Sequence, residues 1–251
     1  MQEKITQDRF AEKYQRMADM MVGNYEGIKN NLFLKAVNVK SNKELLVKMP
    51  HIKFGDIALT YRVVFAVTGN CVQSAAILSE RFPEIGLNRL HKDTLKSSVH
   101  MFPPLLLPIS EMLKHIFAEV WEGSEESEEI LEGFATFQKE GHRCYILTNE
   151  KKLNGASALW YPGMLEEIYR VVGGDYRIIP TSIHELMILP KGQLSDKELK
   201  ALLDEGNSQI VAPEEILSEQ IWAYDGQEKV LRIVTDCSCD KAANAEKQEK
   251  M

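Results

Sequence analysis

The order of strand and helix signals in residues 134–235 constrains the fold more than any other feature of this sequence. The apolar run His142–Thr148 predicts a strand, and a helix follows from near Pro162, since proline suits a first helical position. A capping box that starts at Ser195 predicts a second helix, and Asp225–Gly226 supplies the turn of a closing hairpin. With two short strands between the helices, the order is β-α-β-β-α plus a β-hairpin. This order predicts an α+β fold.

Residues 1–121 carry a different pattern, which predicts a mainly helical half with one β-hairpin. Apolar residues at helical spacing predict two amphipathic helices, and they are Phe10, Tyr14, Met17 and Met21, then Ile28, Leu32, Ala36 and Val39. Ser41 opens a second capping box. The run Ile57–Val67 is rich in β-branched and aromatic residues and predicts the hairpin. A buried helix is the alternative there, because a short apolar run does not settle the period. "FPPLLLP" is interpreted as a break between two further helices.

Composition divides the chain further. The acidic segment "EGSEESEEILEG", residues 122–133, is interpreted as a linker between a helical lobe at 1–121 and an α+β domain at 134–235. Residues 236–251 have no apolar periodicity and are expected to be a mobile tail. The sequence thus predicts two lobes, a linker and a tail.

The charge balance and the cysteines narrow the classes of function. A formal net charge of −7 disfavours nucleic-acid binding, which needs a basic footprint. The apolar stretches fall short of a membrane span, and four cysteines are too few for a disulfide scaffold, so a cytoplasmic protein is expected. Cys237 and Cys239 form a C-x-C pair without a second ligand pair nearby, and we expect neither a metal nor a cofactor.

The stretch "RIIPTSIHELMILP", residues 177–190, places Ser182, His184 and Glu185 within four residues. In an extended strand Ser182 and His184 would share a face, so these residues are the candidates for a hydrolytic site. A triad normally draws its members from different parts of the chain, and no G-x-S-x-G elbow is present. The favoured interpretation is a structural turn in which His184 locks the turn or caps a neighbouring helix.

Several strings resemble an uncharacterised bacterial family, the domain of unknown function with number 5688. They are "LTNEKKLNGASALWYPGMLEEI", "GGDYRIIPTSIHE", "APEEILS" and, in the first half, "NKELLVKMPHIKFGDIAL". Thr181 departs from the serine usual in that family. Members usually carry a further N-terminal segment, so the resemblance implies a shortened member. It implies relatives and no reaction.

Two classes of function follow. The first is a non-enzymatic interaction or regulatory protein with an unknown protein partner and no nucleic-acid or membrane partner. Its expected binding surface comprises Asn149, Asn154, Gly155, Tyr161, Thr181, Ser182 and His184. The alternative is a hydrolase that uses Ser182, His184 and Glu185. A deep cavity that holds Ser182 and His184 within hydrogen-bonding distance would favour the hydrolase.

Overall fold

The structure of the protein, a computed structural model, describes residues 24–68, 71–120 and 143–234. The α-helices are α1 (Tyr25–Ile28), α2 (Lys43–Leu46), α3 (Leu87–Met101), α4 (Ile109–Val120), α5 (Met164–Val172) and α6 (Asp196–Gln209), with 3-10 helices at Lys29–Asn31 and Gly155–Trp160. The strands are β1 (Leu32–Asn38), β2 (His51–Phe54), β3 (Ile57–Thr68), β4 (Cys71–Ala76), β5 (Pro104–Pro108), β6 (Tyr145–Asn149), β7 (Tyr176–Ile179), β8 (Leu186–Pro190), β9 (Trp222–Asp225) and β10 (Val230–Ile233).

The first sheet is built around the long strand β3. Strand β1 pairs antiparallel with β3 along one edge, from Leu32 opposite Val63 to Asn38 opposite Ile57. Strands β2 and β4 pair antiparallel with successive parts of the other edge. The hairpin predicted from the β-branched run is confirmed by the β3–β4 pairing.

The second sheet has the strand order β10-β9-β7-β8-β6-β5, and each of these pairs is antiparallel. Strand β5 pairs with β6, with Leu106 opposite Leu147. The predicted linker 122–133 lies outside the described residues, and so does the predicted tail 236–251. Strand β5 precedes the predicted linker in the sequence and β6 follows it, so the sheet joins chain segments from both sides of the linker. The division into domains stays a prediction.

The second sheet separates two apolar cores because successive side chains of a strand point to opposite faces. One face contributes to the main core, which also contains residues of the first sheet; examples from the second sheet are Leu147, Ile178 and Ile188. The other face packs against helices α4 and α6, and examples are Ile146, Ile179 and Leu189. Helix α6 is thereby fixed against the face that carries the second core.

The prediction of a mainly helical first half was wrong, because strands β1–β5 lie in this half and β1–β4 form an antiparallel sheet. Leu32 and Ala36 belong to strand β1 and not to a helix. This strand is buried along nearly its whole length, so it lacks the polar alternation that distinguishes a half-buried strand from a helix. The predicted helix at Phe10–Met21 lies outside the described residues.

In the second half the elements run β6, α5, β7, β8, α6, β9 and β10, the order that the sequence predicts. The capping box at Ser195 is present, with the Ser195 hydroxyl accepting from the backbone N–H of Glu198 and the Glu198 carboxylate accepting in return. Helix α2 forms near the other predicted box, but it begins at Lys43, and no side-chain cap bond from Asn42 precedes it. Local capping signals therefore place α6 correctly.

Candidate functional site

The turn between β7 and β8, residues 180–185, is held by hydrogen bonds within itself. The Thr181 hydroxyl donates to the carbonyl oxygen of Glu185 at 2.8 Å, and the backbone N–H of Ser182 donates to the same oxygen at 3.2 Å. The Ser182 hydroxyl accepts from the backbone N–H of His184 at 3.0 Å. Such local bonds are typical of serine and threonine in turns. Ser182 thus contacts the backbone of His184.

The imidazole of His184 bridges two distant segments. Its Nδ1 accepts a hydrogen bond from the backbone N–H of Asn154 at 3.1 Å. Because a backbone N–H can only donate, Nδ1 is the acceptor nitrogen and the proton of the neutral ring lies on Nε2. Nε2 lies 3.3 Å from Oε1 of Glu215, within ion-pairing distance of that carboxylate. Both ring nitrogens therefore have partners that fix the position of the turn.

The loop that His184 contacts is itself ordered by Asn149, whose side chain is fully buried. The Asn149 amide donates to the carbonyl oxygen of Leu153 at 2.8 Å, and its oxygen accepts from the backbone N–H of Lys151 at 3.0 Å. The Thr148 hydroxyl donates to the carbonyl oxygen of His184 at 2.8 Å. The loop and the turn are thus bonded to each other at main chain and side chain.

The backbone conformation of Asn154 and the absence of a side chain at Gly155 allow the loop and the turn to come this close. Asn154 has a φ of +50°, in the left-handed region that asparagine tolerates better than most residues. A Cβ at Gly155 would lie 2.6 Å from the carbonyl oxygen of His184 and 2.7 Å from the backbone nitrogen of Asn149, and it would overlap the Thr148 hydroxyl. Only glycine fits at this crossing of the loop and the turn.

Three residues of the predicted binding surface are buried, namely Asn149, Gly155 and Tyr161. Burial raises the pKa of Tyr161, and the nearby hydroxyls of Ser157 and Ser98 act in the opposite direction. Asn154, Thr181, Ser182 and His184 are partly exposed. The accessible part of the predicted surface therefore lies on the turn and at Asn154 of the neighbouring loop.

A groove lies beside the turn. The sequence pointed to the turn, but it did not indicate the side of the groove that helix α6 forms. This α6 groove has a volume of about 440 Å³ between the 180–185 turn and helix α6. Its lining residues are Ile179, Thr181, Ser182, Glu185, Met187, Leu202, Leu203, Gly206, Asn207, Ile210, Val211 and Glu215. His184 does not line it, so the groove does not present Ser182 together with the imidazole.

The α6 groove combines an apolar floor with polar groups along its sides. Burial raises the pKa of Glu185, while the charges of His184 and Lys152 lower it. The Asn207 side chain donates to the carbonyl oxygen of Ser218 at 2.9 Å, but its buried Oδ1 has no hydrogen-bond partner among the described residues. The groove therefore contains a desolvated carboxyl group and an unused acceptor.

Helix α6, one wall of the groove, is tied to the sheet by a buried ion pair. Arg177 on β7 and Asp196 in the first turn of α6 form two hydrogen bonds, with Nε to Oδ1 at 2.5 Å and Nη2 to Oδ2 at 3.0 Å. Their side chains are only 12% and 10% exposed. A bidentate pair of this kind fixes orientation as well as distance. It sets the position of α6 relative to the turn.

Neither the cysteines nor the side chains that could bind a metal form a second candidate site in the part of the chain that the structure describes. No group of three or more histidine, cysteine, aspartate or glutamate side chains there could hold a metal ion. Cys237 and Cys239 lie outside the described residues. Burial raises the pKa of Cys144 to about 12, which disfavours the reactive thiolate.

Comparison with known proteins places the chain in a family. A family model described as "Family of unknown function (DUF5688)" matches residues 2–226. Neither the curated proteins nor the solved structures contain a match. In residues 24–68, 71–120 and 143–234, no helix is long and apolar enough to cross a membrane. Because the family model covers most of the sequence, the chain belongs to this family of unknown function (DUF5688).

Proposed function

We propose that this protein is a non-enzymatic interaction protein that binds a partner protein in the α6 groove. The observation that carries the proposal is the apolar floor of the groove, which continues onto exposed side chains of α6 and its end. Leu202 is 48% exposed and Ile210 is 83% exposed. Large apolar side chains grouped beside a groove and rimmed by polar residues are typical of interaction sites.

The geometry of the turn supports this proposal over the hydrolase. A hydrolytic serine needs a base within hydrogen-bonding distance of its hydroxyl. The Ser182 hydroxyl instead accepts from the main chain, and the His184 ring accepts from the Asn154 N–H and lies next to the Glu215 carboxylate. Glu185 lines the groove, whereas His184 does not. The three candidate residues are therefore better suited to building the groove wall than to acyl transfer.

The expected setting of this interaction is the bacterial cytoplasm. The four cysteines suit a reducing compartment, and the described Cys71 and Cys144 are free thiols. The net charge of −7 favours a protein partner over a nucleic acid. The family resemblance of the sequence strings supports a bacterial origin.

A site-specific photo-crosslinker at Ile210 tests the proposal in living cells. The matched control places the same crosslinker at Val47, which is 82% exposed and does not line the groove. We expect one discrete crosslinked protein from position 210, none from position 47, and loss of the product in the Gly206→Leu background. Equal products from both positions, or a product at 210 that survives Gly206→Leu, would contradict binding in the groove.

Gly206→Leu is a suitable blocking variant because Gly206 lines the groove and an added Cβ meets no atom within 4 Å. Leucine is also a better helix former than glycine. Gly27→Leu is its control, since Gly27 is likewise in a helix with open space around it.

A parallel assay with chromogenic esters should show the same background rate for the wild type and Ser182→Ala. A rate that disappears in Ser182→Ala would instead support the hydrolase.

A further inference from the structure

The charged residues that line the α6 groove all carry the same sign of charge. Glu185 and Glu215 line it, and the lining contains no lysine, arginine or histidine among the described residues. Lys152 and His184 act on Glu185 from outside the lining. The partial desolvation of Glu185 strengthens its attraction for a cation, because charges interact more strongly where water is excluded. An occupant with a positive charge is therefore complementary to the groove.

The shape of the apolar rim indicates an extended segment. Leu202, Gly206 and Ile210 follow each other at intervals of four residues along one side of α6 and its end. Eight residues of helix span roughly 12 Å, with a gap at the glycine. About four residues of extended peptide cover the same length. Leucine-sized side chains of such a segment could contact the two exposed side chains at once.

We propose that the occupant of the α6 groove is an extended apolar segment of a partner protein that carries a lysine or arginine side chain. The apolar residues pack on Leu202, Ile210 and the floor, and the cationic side chain pairs with Glu185. The inference rests on the proposed function and adds the chemistry of the partner.

Three blocked pentapeptides test the inference, each with four leucines around a central residue that is lysine, glutamate or norleucine. Binding to the full chain is measured by isothermal titration calorimetry at neutral pH. We expect the lysine peptide to bind at least tenfold more tightly than either of the others. Glu185→Gln should reduce this preference to less than threefold, whereas Glu214→Gln, at an exposed position outside the groove lining, should leave it unchanged. Gly206→Leu should abolish binding and Gly27→Leu should not.

The outcomes separate the two proposals. Equal binding of all three peptides, lost in Gly206→Leu, would retain the interaction site and overturn the basic specificity. No binding of any peptide would overturn both proposals. If the groove is instead covered by a second copy of the chain, sedimentation velocity will show a dimer that Ile210→Arg dissociates, and the inference of a basic partner segment fails.

Discussion

Nδ1 of His184 accepts a hydrogen bond from the backbone N–H of Asn154, 30 residues away in the sequence. The opposite ring nitrogen contacts Glu215 at 3.3 Å. One imidazole thus joins the turn before β8, the loop after β6 and the segment after α6. A ring with these contacts acts as a structural bridge that holds the turn, and other residues of the turn line the α6 groove.

The crossing at Gly155 should tolerate no side chain. Gly155→Ala places a methyl group against the carbonyl oxygen of His184, the backbone nitrogen of Asn149 and the Thr148 hydroxyl. Because two of these atoms are main chain, we expect a loss of about 3 kcal/mol in the free energy of unfolding, measured by urea denaturation. The control, Gly27→Ala, should change it by less than about 1 kcal/mol. A Gly155→Ala protein as stable as the wild type would disprove this tight contact.

The ion pair of Arg177 and Asp196 should hold α6 in place. Removing one partner leaves a largely buried charge without its counterion. Asp196→Asn or Arg177→Met should therefore each lower the free energy of unfolding by about 3 kcal/mol. The double variant Arg177→Met with Asp196→Leu should recover part of the loss, because neither charge remains. Double-variant stability below that of both single variants would contradict the assigned role.

Glu185 should make stability depend on pH. Burial raises its pKa, so the folded protein holds this proton more tightly than the unfolded chain does. The contribution of Glu185 to the free energy of unfolding is fully present below the ordinary carboxyl pKa of about 4.3. This contribution is lost as the pH rises through the raised pKa. Glu185→Gln should therefore gain stability relative to the wild type as the pH rises above about 4.

Chemical denaturation at a series of pH values checks this expectation. Glu214→Gln serves as the control, since Glu214 is exposed. The charges that face Glu185 are those of His184 and Lys152, so ionic strength is kept constant across the series. A difference between Glu185→Gln and the wild type that does not vary with pH would show that this carboxyl group is not desolvated.

Local signals in the sequence predicted the elements whose formation depends on neighbouring residues. The capping box at Ser195 and the hairpin turn at Asp225–Gly226 both occur in the structure. Strand β1 was misread because its buried residues also fit a helical period. Strand β5 was read as a break because prolines flank it, yet β5 lies at the edge of its sheet, where proline is tolerated.

The candidate site was predictable only in part for a related reason. The turn's own bonds follow from the residue types in "PTSIHE", so a structural turn could be expected. The partners of the His184 ring come from Asn154 and Glu215, and the groove wall comes from α6. These contacts arise from tertiary packing, which no local pattern encodes. Gly155 and the unpartnered Asn207 acceptor gave no signal that the sequence alone could reveal.

The central claim is that the turn at residues 180–185 is a structural support for a binding groove and not a catalytic site. Urea denaturation of His184→Ala and Ser182→Ala tests it most directly, with His184→Asn as a partial replacement for the ring acceptor. We expect His184→Ala to lose about 1–3 kcal/mol because it leaves the Asn154 N–H without its partner. Ser182→Ala should lose less, and His184→Asn should recover part of the loss. Wild-type or higher stability of both alanine variants would contradict the claim, because substitutions at catalytic residues typically preserve or raise stability.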